Sequence, residues 1–142
     1  MKNYQKQDIG KLNELNQYVF APEGIPIEIE GKLFLGERLG LTSMEVSLNK
    51  DDPGTGINFF HRHRNNEELY VFLSGKGEMV IDDERFSVEE GTAVRVQPEA
   101  KRAWWNTGQE DLIYIVIQAP SGGLKTSGLE DGEIVEGAVP WT

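Results

Sequence analysis

From about residue 43 onward, short apolar stretches, some alternating and some continuous, recur between turn residues at a nearly regular spacing. That is the pattern of a β-sandwich or β-barrel. Met44, Val46 and Leu48 share one face of a strand ending at Asn49, and the segment from Asp51 through Pro53 and Gly54 to Gly56 reads as a loop. In the next strand Ile57, Phe59, His61 and His63 fall on one face by the period-two rule, with Asn58, Phe60, Arg62 and Arg64 on the other. After Asn65 and Asn66 the run Glu68 to Leu73 is apolar on both faces except at Glu68, as expected of a buried strand. A carboxylate opening such a strand needs a partner.

Ser74 to Gly77 reads as a turn, Glu78 to Ile81 as a strand, Asp82 to Glu84 as a turn, and Arg85 to Val88 as a further short strand. Glu89-Glu90-Gly91 closes it. Thr92 to Gln97 is a strand stopped by Pro98, and Arg102 to Asn106 and Leu112 to Gln118 are two more, separated by a turn at Thr107-Gly108. Ahead of these, Ile9, Leu12 and Leu15 have the spacing of one or two helical turns, and Ile25 to Leu35 reads as a hairpin turning at Glu30-Gly31. The segment after Pro120 is glycine-rich and loop-like, with Ile134, Val135 and Trp141 expected to pack back. The chain is accordingly read as all-β and antiparallel, a single domain over residues 1–142. Its barrel core spans roughly 40–118, between a partly helical N-terminal extension (1–39) and a C-terminal tail (119–142).

Composition narrows the function classes. With 38% hydrophobic and 27% charged residues the chain is apolar enough to fold by itself. It has no cysteine, so any metal must be held by imidazole and carboxylate. A net charge of −10 repels phosphate backbones and anionic membrane surfaces, so neither nucleic acid nor a membrane is an expected partner. No signal-peptide pattern opens the sequence, and the longest apolar run, Leu112 to Ile117, is too short to span a bilayer. The expected location is cytoplasmic.

The chemistry concentrates in His61, His63 and Glu68. Two histidines one residue apart on a strand aim two imidazoles into the same space, and a carboxylate opening the neighbouring strand supplies a third ligand at similar depth. Of the acidic pairs Glu67-Glu68 and Glu89-Glu90, only the first has a member placed to face a barrel interior.

His61-x-His63, four residues, Glu68, six residues, Gly75 resembles the first motif of the cupin superfamily. Gly91, Pro98 and Asn106 resemble its second, with Gly56 and Pro98 each displaced by one position. The resemblance covers roughly residues 40 to 118 and implies an antiparallel double-stranded β-helix, or jelly-roll barrel. It also implies that a fourth metal ligand, a histidine in the family, is replaced by Arg102. Arginine stays protonated and cannot ligate. The site is then either two histidines and a glutamate with open positions or not a metal site.

Arg102 has two further readings, a salt bridge to Glu68 or a bidentate grip on an anionic ligand. Tyr70 and Trp104 alternate with Glu68 and Arg102 on their strands and are expected to line the pocket with Gln118. The leading expectation is a pocket for a small anionic molecule, with a divalent iron, zinc, manganese or nickel ion at His61, His63 and Glu68. As an enzyme it would be an oxygenase, isomerase or decarboxylase. The alternative is a metal-free ligand-binding or sensor protein in which Arg102 pairs with Glu68. The outward Leu69, Val71 and Leu73 need cover, from which a homodimer is expected.

Overall fold

The computed structural model describes residues 2–141. Its strands are β1 (Val19–Phe20), β2 (Ile29–Glu30), β3 (Lys32–Phe34), β4 (Glu45–Asp51), β5 (Asn66–Ser74), β6 (Lys76–Ile81), β7 (Glu84–Glu89), β8 (Ala93–Val96), β9 (Arg102–Trp105) and β10 (Leu112–Pro120). The helical elements are a short 3-10 helix (Leu12–Gln17) and a single turn, α1 (Gly36–Leu39). All strand pairs are antiparallel. One sheet has the order β3-β4-β10-β5-β8, a second β7-β6-β9, and β1 pairs only with β2.

From β4 onward the chain alternates between the two large sheets, β6 and β7 entering the second together as a hairpin. This is the jelly-roll arrangement expected from the strand pattern. The segment between β4 and β5 supplies the missing edge of the smaller sheet. Gly56 bridges Trp105, His61 bridges Arg102, and the Ile57 amide donates to the Trp104 carbonyl at 2.8 Å. Instead of the regular strand expected from Ile57 to Arg64, this edge is joined to β9 by isolated bridges, with Phe59 and Phe60 39% and 49% exposed.

Between the sheets the inward residues of both interlock. Tyr70 and Phe72 of β5, Tyr114 and Val116 of β10, Met79 of β6, Val88 of β7 and Trp104 of β9 form one buried cluster with Ile57, Val96 and Leu112. Each such side chain contributes roughly 1.5–3 kcal/mol of hydrophobic stabilisation. The opposite face of β10, Ile113, Ile115 and Ile117, is half-buried on the outside of the large sheet. Leu33 and Leu48 lie opposite one another on that outer side, and Leu15 of the 3-10 helix, fully buried, belongs to the cover over β3 and β4.

The structure revises several expectations. Ile25 to Leu35 is not a hairpin: β2 pairs with β1, β3 pairs with β4, and Gly31 between them is the point where the chain changes sheets. Ser74 to Gly77 is not a four-residue turn either, because Gly75 alone separates β5 from β6, again across a change of sheet. On β4 the buried side is Ser47, Asn49 and Asp51, with Val46 and Leu48 on the outer face and Met44 47% exposed. Ile134, Val135 and Trp141 do not pack back, being 104%, 76% and 83% exposed. No helix among the described residues is long and apolar enough to cross a membrane.

Candidate metal centre and ligand cavity

His61 and His63 stand on the bridged edge segment, fixed by backbone pairing to the chain opposite. The His61 amide donates to the Arg102 carbonyl at 3.2 Å, the Arg102 amide returns a bond to the His61 carbonyl at 3.0 Å, and the His63 amide donates to Pro98 at 2.9 Å. Period two then turns both rings inward, where they meet edge to face with centroids 5.5 Å apart. Glu68 reaches the same point from β5 and is only 3% exposed. His63 Nε2 lies 3.3 Å from Glu68 Oε2, and His61 Nε2 lies 3.8 Å from Glu68 Oε1. One donor atom from each of the three residues falls within 4.8 Å of the others, a cluster that could hold a metal ion.

The surroundings orient this cluster. The Tyr70 hydroxyl donates to Glu68 Oε1 at 2.7 Å, leaving Oε2 for the histidine side. Burial pushes the Glu68 carboxyl up, but His61, the Tyr70 hydroxyl, His63 and Arg102 together outweigh it and hold the group below its ordinary range. Burial lowers His63, against the attraction of Glu68, and favours the neutral imidazole that a metal requires. His63 Nε2 is buried without a hydrogen-bond partner among the described residues. Its nearest polar neighbour is Glu68 Oε2, at 3.3 Å but out of line for a hydrogen bond, so the nitrogen and the carboxylate oxygen face a common point between them.

Arg102 is fully buried. Its guanidinium donates to the carbonyls of Gln97, at 3.0 Å, and Pro98, at 3.5 Å, while Nε sits 3.5 Å from Glu68 Oε1 without completing a hydrogen bond. It thus stands behind Glu68 and outside the set of residues that line the cavity.

The metal cluster opens into a cavity of about 230 Å³. Tyr70, Trp104 and Gln118 line it together with His61, His63 and Glu68. Its walls are largely apolar, built from Ile57, Phe59 and Val116 of the barrel, Phe34 of β3, and Phe20, Ile27 and Ile29 from the β1–β2 region. Trp104 packs edge-on against His61 and Tyr70, with centroids 5.9 and 5.2 Å away, and its indole N–H donates to the Tyr114 hydroxyl.

Two polar residues near the site, Lys32 and Asp51, escaped the sequence reading. Lys32 projects inward from β3 and lines the cavity, with Nζ 2.9 Å from Asn49 Oδ1 and 3.4 Å from Ser47 Oγ. Burial lowers its amine to about 8, against the attraction of Glu68 and Asp51. Asp51, below Tyr114, accepts that hydroxyl at 3.0 Å. The period-two row Glu45, Ser47, Asn49, Asp51 was the available signal: a strand with one apolar and one polar face usually buries the apolar one, whereas this strand turns its polar face to the cavity.

Comparison with known proteins agrees with this architecture. The family model described as Cupin domain matches residues 48–118. A crystal structure of a cupin protein from Bacteroides fragilis superposes with a TM-score of 0.79 at 31% identity, covering 96% of this chain and 100% of that one. An uncharacterized protein of Methanocaldococcus jannaschii is 32% identical over 76 residues, 54% of this chain and 57% of its own length. A glucose-6-phosphate isomerase of Pyrococcus horikoshii is 33% identical over 69 residues, 45% of this chain and 36% of its own. The chain therefore spans about half or less of the curated relatives it matches.

Proposed function

We propose that this chain, which belongs to the cupin family, binds a divalent metal ion through His61, His63 and Glu68 and uses the cavity beside it to hold a small anionic molecule. The observation that carries this reading is the convergence of three donor atoms, one each from His61, His63 and Glu68, within 4.8 Å of one another at the cavity wall. Tyr70 holds one oxygen of Glu68 and turns the other toward His63. A divalent ion at such a site supplies Lewis acidity to a carbonyl or carboxylate oxygen of the bound molecule. The protein's part is to orient and enclose: Trp104 and Tyr70 fix the imidazole side, and the apolar walls exclude water from the ligand. The relative named as a glucose-6-phosphate isomerase also acts on an anionic small molecule, which supports this ligand class.

Metal content of the protein purified without chelator tests the reading. One equivalent of metal is expected, lost in both His61→Ala and His63→Ala while circular dichroism stays unchanged, because a site with three protein ligands has none to spare. Stoichiometric metal retained in either variant would contradict the assignment.

A second reading is favoured by Arg102, whose buried guanidinium stands 3.5 Å from Glu68. In it Glu68 is held by Arg102 and Tyr70 as a metal-free polar cluster, and the histidines hydrogen-bond the ligand directly. Absence of metal from the wild-type protein, even after incubation with iron, zinc, manganese or nickel, would decide for this alternative.

A further inference from the structure

We propose that Lys32 forms a second polar pole of the cavity and takes the carboxylate of a small monocarboxylic ligand whose apolar body lies against Phe34, Trp104 and Val116. This rests on the reading of the cavity as the ligand site, and it does not require the metal. Lys32 Nζ has two hydrogen-bond acceptors, Asn49 Oδ1 and Ser47 Oγ, both uncharged, and it lies 5.1 Å from the centroid of the Phe34 ring. An ammonium carries three N–H donors, and inside apolar walls it is costly to keep without a counter-charge.

Each neighbouring carboxylate is engaged elsewhere. Glu45 accepts the amides of Gly36 and Val46, Asp51 accepts the Tyr114 hydroxyl, and Glu68 accepts the Tyr70 hydroxyl and faces the histidines. Asp51 and Glu68 act on Lys32 only through space. A ligand carboxylate entering the cavity would supply a charged partner in direct contact and the third acceptor, as a charge-assisted hydrogen bond.

The same geometry argues for a carboxylate over a phosphate. One ammonium meets one negative charge. Arg102, the guanidinium nearest the site, is bound to main-chain carbonyls behind Glu68 and does not line the cavity. A phosphate dianion would call for further donors at this pole.

Hydrocinnamate, which joins an aromatic body to a carboxylate, and its neutral amide, hydrocinnamamide, are suitable probes by calorimetric titration of the full chain. Metal content is measured in the same samples, before and after chelation. Wild-type protein is expected to bind the acid at least about tenfold more tightly than the amide, and to keep that preference once metal is removed. Lys32→Met should abolish the preference, weakening the acid far more than the amide, while leaving metal content as in wild type. The proposal is overturned if Lys32→Met prefers the acid as wild type does, if wild type binds neither probe at millimolar concentration, or if chelation alone erases the preference. Absence of metal from every sample with the acid preference intact would remove the metal reading and leave this one standing. Should Lys32→Met fail to fold, the side-chain resonance of isotope-labelled Lys32 in the wild-type protein replaces it. That resonance should move with the acid and not with the amide, and a resonance unmoved by the acid overturns the proposal.

Discussion

Asp51 shows how a single residue makes this fold sensitive to pH. It is 7% exposed, and burial raises its carboxyl from 3.8 to about 6 against the opposing effects of Tyr114 and Lys32. Because the folded value lies above the unfolded one, the folded chain holds the proton more tightly. The resulting stability is fully present below the unfolded value and is lost as pH rises through the folded one. Asp51→Asn removes this loss. Urea unfolding should find the fall in stability between about pH 4 and about pH 7 smaller in the variant by up to about 3 kcal/mol, and coincident profiles would assign the dependence to other groups. The clustering of His61, His63 and Glu68 was legible in the sequence because the one-residue spacing of the histidines and the short connection to Glu68 are local features of the chain. Lys32 and Asp51 were not, because the inward turn of Lys32 depends on β3 pairing with β4, with Lys32 opposite Asn49, and that of Asp51 on β4 pairing with β10.

Among the elements, the sheet-changing corners at Gly31 and Gly75 are the most demanding. Gly75 has φ +85°, and a Cβ there would stand 2.3 Å from the Asp111 carbonyl oxygen. Gly31 has φ +81°, with the corresponding Cβ 2.2 Å from the Lys50 carbonyl oxygen. Both strain and overlap oppose any side chain at these points, so Gly75→Ala is expected to cost at least about 1–3 kcal/mol in thermal or urea unfolding. A variant as stable as wild type would mean that the corner relaxes. The strands themselves were read from alternation and turn residues to within a few positions. The hairpin at Glu30-Gly31 was misread because glycine between two short apolar runs marks a reversal and a sheet change alike, and only the pairing partners distinguish them. The edge segment carrying both histidines kept its alternation and lost its regular ladder, since β9 engages it at separated points.

At the scale of the molecule, the large sheet leaves an apolar outer face. Leu69 is 37% exposed, and Val71, Leu73, Ile115 and Ile117 around it are half-buried. The 3-10 helix packs over β3 and β4, at one edge of that sheet. A homodimer across this face is the expected assembly, since apolar patches of this kind mark association surfaces. Light scattering at high micromolar concentration should give twice the mass of 16.0 kDa, and Leu69→Lys should lower it toward one chain. A monomeric wild-type mass would remove the expectation. Against the net charge of −10, Lys32 on the cavity wall and Arg102 behind Glu68 are separate interior cations.

The sequence by itself determined the all-β class, the identity of most strands, and the grouping of His61, His63 and Glu68 as a cluster that could hold a metal ion, because side-chain alternation and turn chemistry are local properties of the chain. It also carried the family resemblance through the spacing of that trio to Gly75. Only the tertiary structure decided which face of β4 looks inward and which sheet each short N-terminal strand joins. It likewise decided that Arg102 lies behind Glu68, bound to the Gln97 and Pro98 carbonyls. Those outcomes depend on pairings between residues far apart in the chain, whose energies no local pattern records.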